Sequence, residues 1–247
     1  MKGRLDNAYY DGIKEILNKA KKELTVHTGK YLHDLQNKKT DKETLHDLIA
    51  AVPLSMSYEN KDGRLPIQSA VLNTGSVGYV PLLAKEGITH QVGGNDNRGG
   101  LLVVRDLHGN GRKNVLKLLA KLTNDTTLVA TDTAYLNTMM ELRESNLLLK
   151  EDIQEYDLLY YACKHGAQFR FDYFVDWDAE GLKNHQYGGM PIIHAVIFWQ
   201  EIEHFKVFFK AALKHYTQRT SSSSLKRNTM EKQYVSLYLI STVKMKR

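Results

Sequence analysis

The sequence predicts an all-α protein built as a helical-repeat solenoid of about five to six helix pairs with long insertion loops. Three observations lead there. Only four prolines occur in 247 residues, apolar residues recur at helical rather than alternating spacing, and most of the helices so read are short and come in pairs. A two-turn helix is unstable alone, because ordering each residue costs roughly 1–2 kcal/mol of backbone entropy. Stacking pair upon pair buries the faces that one pair leaves bare, and that defines a solenoid.

The first element is an amphipathic helix. Tyr9, Ile13, Ile16, Leu17, Ala20 and Leu24 fall on one face, with Lys and Glu opposite. This N-terminal segment, residues 1–27, is expected to act as a solubilising cap. Leu45 to Ala51 follows as a lone second helix. The pairs are then Pro66 to Leu72 with Tyr79 to Lys85, Val115 to Leu122 with Ala134 to Arg143, Asp157 to Cys163 with Gln168 to Val175, and Pro191 to Phe198 with Ile202 to Tyr216. Gly93, Gly94, Gly99 and Gly100 mark a long loop that interrupts the period. After residue 217 come Ser221 to Ser224 and a tail, residues 218–247, expected to be disordered. It departs from the pattern where another repeat would continue, which suggests a truncated last repeat.

Asp62-Gly63-Arg64-Leu65-Pro66-Ile67-Gln68-Ser69-Ala70 resembles the signature of the ankyrin repeat, with Leu65, Ile67 and Gln68 where that family carries Thr, Leu and His. Gly63 suits the turn and Pro66 the first helical position. Gly188-Gly189-Met190-Pro191-Ile192-Ile193-His194-Ala195 resembles it again, its histidine one place late. Weaker copies open at Val115 and Leu158, and Leu158 stands 33 residues before Pro191, the ankyrin period. The resemblance covers about residues 28–217, and the segments around Leu65 to Val71, Arg98 to Leu102 and Asp176 to Gly181 resemble a divergent subfamily without assigned activity. It implies a scaffold or adaptor that binds a protein partner on the concave repeat surface and is not an enzyme. Carried onto the turn positions, it makes Tyr58, Asn60, Lys61, Arg64, Gln186 and Tyr187 the partner-binding candidates.

Chemistry-bearing motifs are sparse. Asp176, Asp178, Glu180 and Gly181 imitate the first half of an EF-hand loop, but Tyr187 stands where the bidentate glutamate belongs. Ten histidines include no H-E-x-x-H, and the single Cys163 lacks a second thiolate. No metal or other cofactor is expected. The glycine loop lacks the G-K-[ST] of a phosphate cradle, and no G-x-S-x-G elbow exists. His194 reads as a hydrogen-bonded structural residue. Cys163 reads as core, as do Phe171, Phe174 and Val175, which leaves few aromatics near Arg170 for stacking on bases.

Charge narrows the partner. The chain carries +6, and residues 217–247 hold seven basic residues against Glu231 alone, an excess equal to the whole. The body is neutral, so a folded basic stripe of the kind that reads nucleic acid is not expected. Binding of nucleic acid or an acidic surface through that tail is the alternative reading. The apolar run Tyr234 to Val243 is about half of what a membrane span needs, and a lone cysteine with no signal-like start leads to the expectation of an intracellular location, cytoplasmic or nuclear. A monomer is expected.

Overall fold

A computed structural model describes residues 2–38, 40–92, 110–121, 128–165, 167–184, 186–187, 190–191, 209–211 and 214. The glycine loop at Gly93 to Gly100, His194 and the tail from residue 218 lie outside these residues. What is described is mostly helical. The strands among the described residues are β1 (Gln186–Tyr187) and β2 (Met190–Pro191), two residues each. The chain divides into two compact units, residues 1–119 with 137–148, and residues 120–136 with 149–247.

The first unit begins with α1 (Lys2–His33), a helix of 32 residues. After a 3₁₀ turn at Leu35–Asn37 comes α2 (Lys42–Ala51). Its start is capped by Asp41, whose carboxylate accepts the Thr44 N–H at 2.7 Å and the Thr44 hydroxyl at 2.8 Å. The Thr44 N–H holds that carboxyl below its ordinary pKa. A 3₁₀ helix at Pro53–Ser57 leads through a turn to α3 (Pro66–Val71), and a second at Val77–Tyr79 leads to α4 (Val80–His90). Pro81 is tolerated in the first turn of α4, where no intrahelical bond needs its missing N–H. The left-handed Gln91, φ 51°, stops that helix. Then come α5 (Asn110–Ala120) and α6 (Leu128–Glu144), the latter divided between the units at residue 136.

Leu32, Leu45, Ile49, Val71, Val80 and Leu83 form the buried centre of this unit with Leu116, Leu119 and Leu142. Each comes from a different turn of the helical pattern, so the core is the sum of stripes that no single helix could bury. Polar pins add register. The Thr138 hydroxyl donates to the Val77 carbonyl at 3.3 Å, and Lys42 meets Glu141 at 2.8 Å.

The second unit contains the first half of α6, α7 (Lys150–Glu155), α8 (Leu158–Lys164), α9 (Gln168–Trp177) and α10 (Gly181–Asn184). Helices α8 and α9 pack together over Leu158, Leu159, Ala162, Phe171, Phe174 and Val175, all buried. Cys163 is buried beside them, and burial pushes its thiol up to about 12, so it sits in the core as a neutral group. Arg170 is fully buried as well. Its Nε donates to Asp132 Oδ1 at 2.6 Å, its Nη1 to the Lys121 carbonyl at 2.6 Å, and its guanidinium lies 4.9 Å from the Tyr135 ring centroid. The other Asp132 oxygen accepts the Phe169 N–H at 2.7 Å. A buried charge survives only with such partners, and here they fasten the start of α9 to α6.

Several paired segments thus form helices where periodicity places them, with differences at α1 and at Pro191 among others. Helix α1 runs on to His33, past the last apolar residue of its stripe. Pro191 lies in β2 rather than at a helix start, with Gln186 opposite Pro191 and Tyr187 opposite Met190. Proline fits a strand that short, since it needs no ladder N–H there.

Candidate recognition surface

The best-defined display surface is the turn between the 3₁₀ helix at Pro53–Ser57 and α3. Its sequence, Asn60-Lys61-Asp62-Gly63-Arg64, closes on itself. The Asn60 N–H donates to the Arg64 carbonyl at 3.0 Å, and the Gly63 N–H to the Asn60 carbonyl at 3.0 Å. Asn60 Oδ1 accepts from the backbone N–H of Asp62 at 2.9 Å and of Arg64 at 3.0 Å. Gly63 sits at φ +68°, a conformation that costs other residues a Cβ clash. Sequence therefore dictates the turn twice, through an asparagine that satisfies its backbone and a glycine that permits its curvature.

The turn feeds directly into a helix start. Leu65 is extended, Pro66 occupies the first helical position, and the Gln68 side chain reaches back to accept the Leu65 N–H at 2.8 Å. That contact supplies half of a capping box with glutamine at the third helical position.

Beneath the turn stands the last part of α1. His33 Nε2 donates to the Tyr58 carbonyl at 2.9 Å, which fixes the neutral tautomer and leaves Nδ1 to accept the Ser69 hydroxyl at 2.7 Å. Burial lowers the His33 pKa from 6.5, opposed in part by the Tyr58 bond. Gly29, one turn earlier, has no room for a side chain, because an added Cβ would run into Tyr58 Cβ and its ring. Residues far apart in sequence thus hold both ends of the turn.

Of the six candidates, four share this turn. Lys61 and Arg64 are exposed, Tyr58 and Asn60 half-buried. Asn60 spends its side-chain oxygen inside the turn and acts as its brace. Arg64 pairs with Asp62 at 2.9 Å on the surface, a contact worth little in stability. Gln186 and Tyr187 belong to the second unit, as β1, and their side chains lie outside the described residues. His33, Gly29 and Gln68 escaped sequence reasoning as contributors. Only Gln68 had a signal, its place three residues into a helix.

The remaining motifs resolve into structural contacts. Asp178 is buried, accepts Gln154 Nε2 at 2.7 Å, and lies 3.3 Å from Lys150 Nζ. Asp176 pairs with Lys214 at 2.8 Å. Two of the three carboxylates of the calcium-like segment, Asp176 and Asp178, therefore serve different partners. Glu86 is buried between His46, at 2.9 Å, and His90, at 3.4 Å. Among the described residues no group of three or more histidine, cysteine or acidic side chains converges as a metal site, and no helix is long and apolar enough to cross a membrane.

No family model, curated protein or solved structure matches this sequence.

Proposed function

We propose that this chain is a divergent ankyrin-like repeat protein that binds a protein partner through its turn tips and catalyses no reaction. One observation carries the reading: the Asn60 to Arg64 turn is pre-folded. Its backbone is closed by its own hydrogen bonds, fastened to α1 through His33 and Tyr58, and presents Lys61 and Arg64 to solvent. A partner meeting such a turn loses little affinity to ordering it, which is how rigid frames make small exposed patches into binding sites. Tyr58, Lys61 and Arg64 supply the contacts at this turn, and by the same resemblance Gln186 and Tyr187 are the candidates in the second unit.

The test is proximity labelling in cells with the full chain, compared with the Lys61→Glu, Arg64→Glu double variant. Both residues are exposed, so the variant is expected to melt with the parent. A labelled protein lost from the variant and recovered by direct binding to the purified parent supports the reading. A labelled set unchanged by the double variant, but lost on deletion of residues 218–247 and sensitive to salt, overturns it in favour of the basic tail.

A further inference from the structure

We propose that α1 pairs in parallel with α1 of a second copy of this chain. This goes beyond partner binding at the turn and does not depend on it.

The observation is a helix docked only by its last turns. Residues 8–24 are exposed throughout, a stretch of roughly 25 Å at 1.5 Å per residue. Its stripe is bare: Tyr9 is 69% exposed, Ile16 70% and Leu17 62%, with Tyr10, Ile13 and Leu24 alongside. At such exposures these six side chains present on the order of 600 Å² of largely apolar surface per copy. A stable interface takes roughly 800 Å² from each partner, and a monomer rarely leaves more than a few hundred bare in one patch. The stripe with its polar flanks is the right size for a protein interface.

The stripe is not addressed to its own unit. Thr28, Gly29 and Leu32, which do dock, are buried and lie about a quarter turn round the helix from the centre of the bare stripe. Helix α1 therefore uses one side to hold the body and another to face outward.

Spacing and charge select the occupant. Tyr10, Ile13, Leu17, Ala20, Leu24 and His27 recur at alternating steps of three and four, the seam of a two-helix coiled coil. Asp11, Glu15 and Glu23 are interspersed with Lys14, Lys19, Lys21 and Lys22, so the polar side is nearly balanced. An acidic lipid surface draws a helix whose polar face is basic, whereas a balanced face suits a copy of itself. Lys14 and Lys21 flank the seam on one side. In an antiparallel pair they would face Lys21 and Lys14 of the other copy, like charge against like. In a parallel pair they lie over Tyr9 and Ile16 of the other copy, where their stems cover apolar surface.

The experiment is sedimentation equilibrium of the full chain at micromolar concentration. A mass twice the 28.2 kDa of one chain is expected, halved by Leu17→Glu and by Ile16→Glu, and kept by Lys22→Glu on the opposite side. Tyr10→Cys, with Cys163 buried, is expected to cross-link to its own counterpart under oxidation. A single-chain mass for the parent overturns the proposal, as does a doubled mass that survives both glutamate variants. Cross-linking between Tyr10→Cys and Leu24→Cys chains but not within Tyr10→Cys overturns the parallel arrangement. A parent that stays single and floats with phosphatidylserine vesicles assigns the stripe to lipid instead.

Discussion

The two halves of α1 share one helix and one apolar period, yet meet opposite surroundings. Residues 8–24 hold their stripe in solvent, while Thr28, Gly29, Leu32 and His33 are locked against the 3₁₀ helix at Pro53–Ser57 and α3. Periodicity fixes which side chains share a face. It says nothing about what covers that face. The docked half is recognised by the opposite signs, a glycine where the partner approaches and a histidine bonded at both nitrogens.

The largest effect that would sharpen this contrast is at Leu32, which is fully buried. Leu32→Ala is expected to cost about 2–5 kcal/mol of unfolding free energy in a denaturant titration. A cost near zero would mean the docked half is not part of the core. Next comes Gly29→Ala. It gains helix propensity, but its Cβ meets Tyr58 at an atom that cannot swing aside, so a net loss of about 1–3 kcal/mol is expected, together with weaker binding at the turn. His33→Gln follows, with about 1–2 kcal/mol lost along with its hydrogen bonds.

His33 also predicts a pH dependence. Its folded pKa is below 6.5, so the unfolded chain binds the proton more readily. The stability it contributes is full above the unfolded value and lost as pH falls through the folded one. The parent should melt progressively earlier below about pH 6.5, and the difference in slope from His33→Gln isolates this residue from other histidines. The smallest effect is Leu17→Ala. In dilute solution it should leave the unit's stability within about 0.5 kcal/mol, which is the other end of the comparison with Leu32.

Much of the helical content was legible. Pro66 opens α3 where the turn residues place it, and Phe171, Phe174 and Val175 are buried on α9 as their spacing requires. Short or irregular elements were not legible. Helix α7 has only Ile153 as a large apolar residue and spans six positions, too few for a period to register. The extension of α1 past Leu24 was hidden because Thr28 and Gly29 are poor helix formers, and their burial comes from tertiary contact. Helix α6 starts six residues before Ala134, across Thr131 and Asp132, which are buried polar residues that break the apolar pattern. At the candidate surface, Asn60, Gly63 and Pro66 announced the turn. The brace from His33 joins positions 25 and 36 residues apart, and no local pattern records such a link.

The fastening of Arg170 to Asp132 has a consequence for how the protein is made. Asp132 leaves the ribosome 38 positions before its guanidinium partner, a delay of seconds at ordinary rates of synthesis. Until then the start of α6 carries a carboxylate that cannot enter an apolar interior alone. The second unit therefore has to wait for α9 before it can close, and a nascent chain stalled short of residue 170 presents chaperones with an unfinished interior.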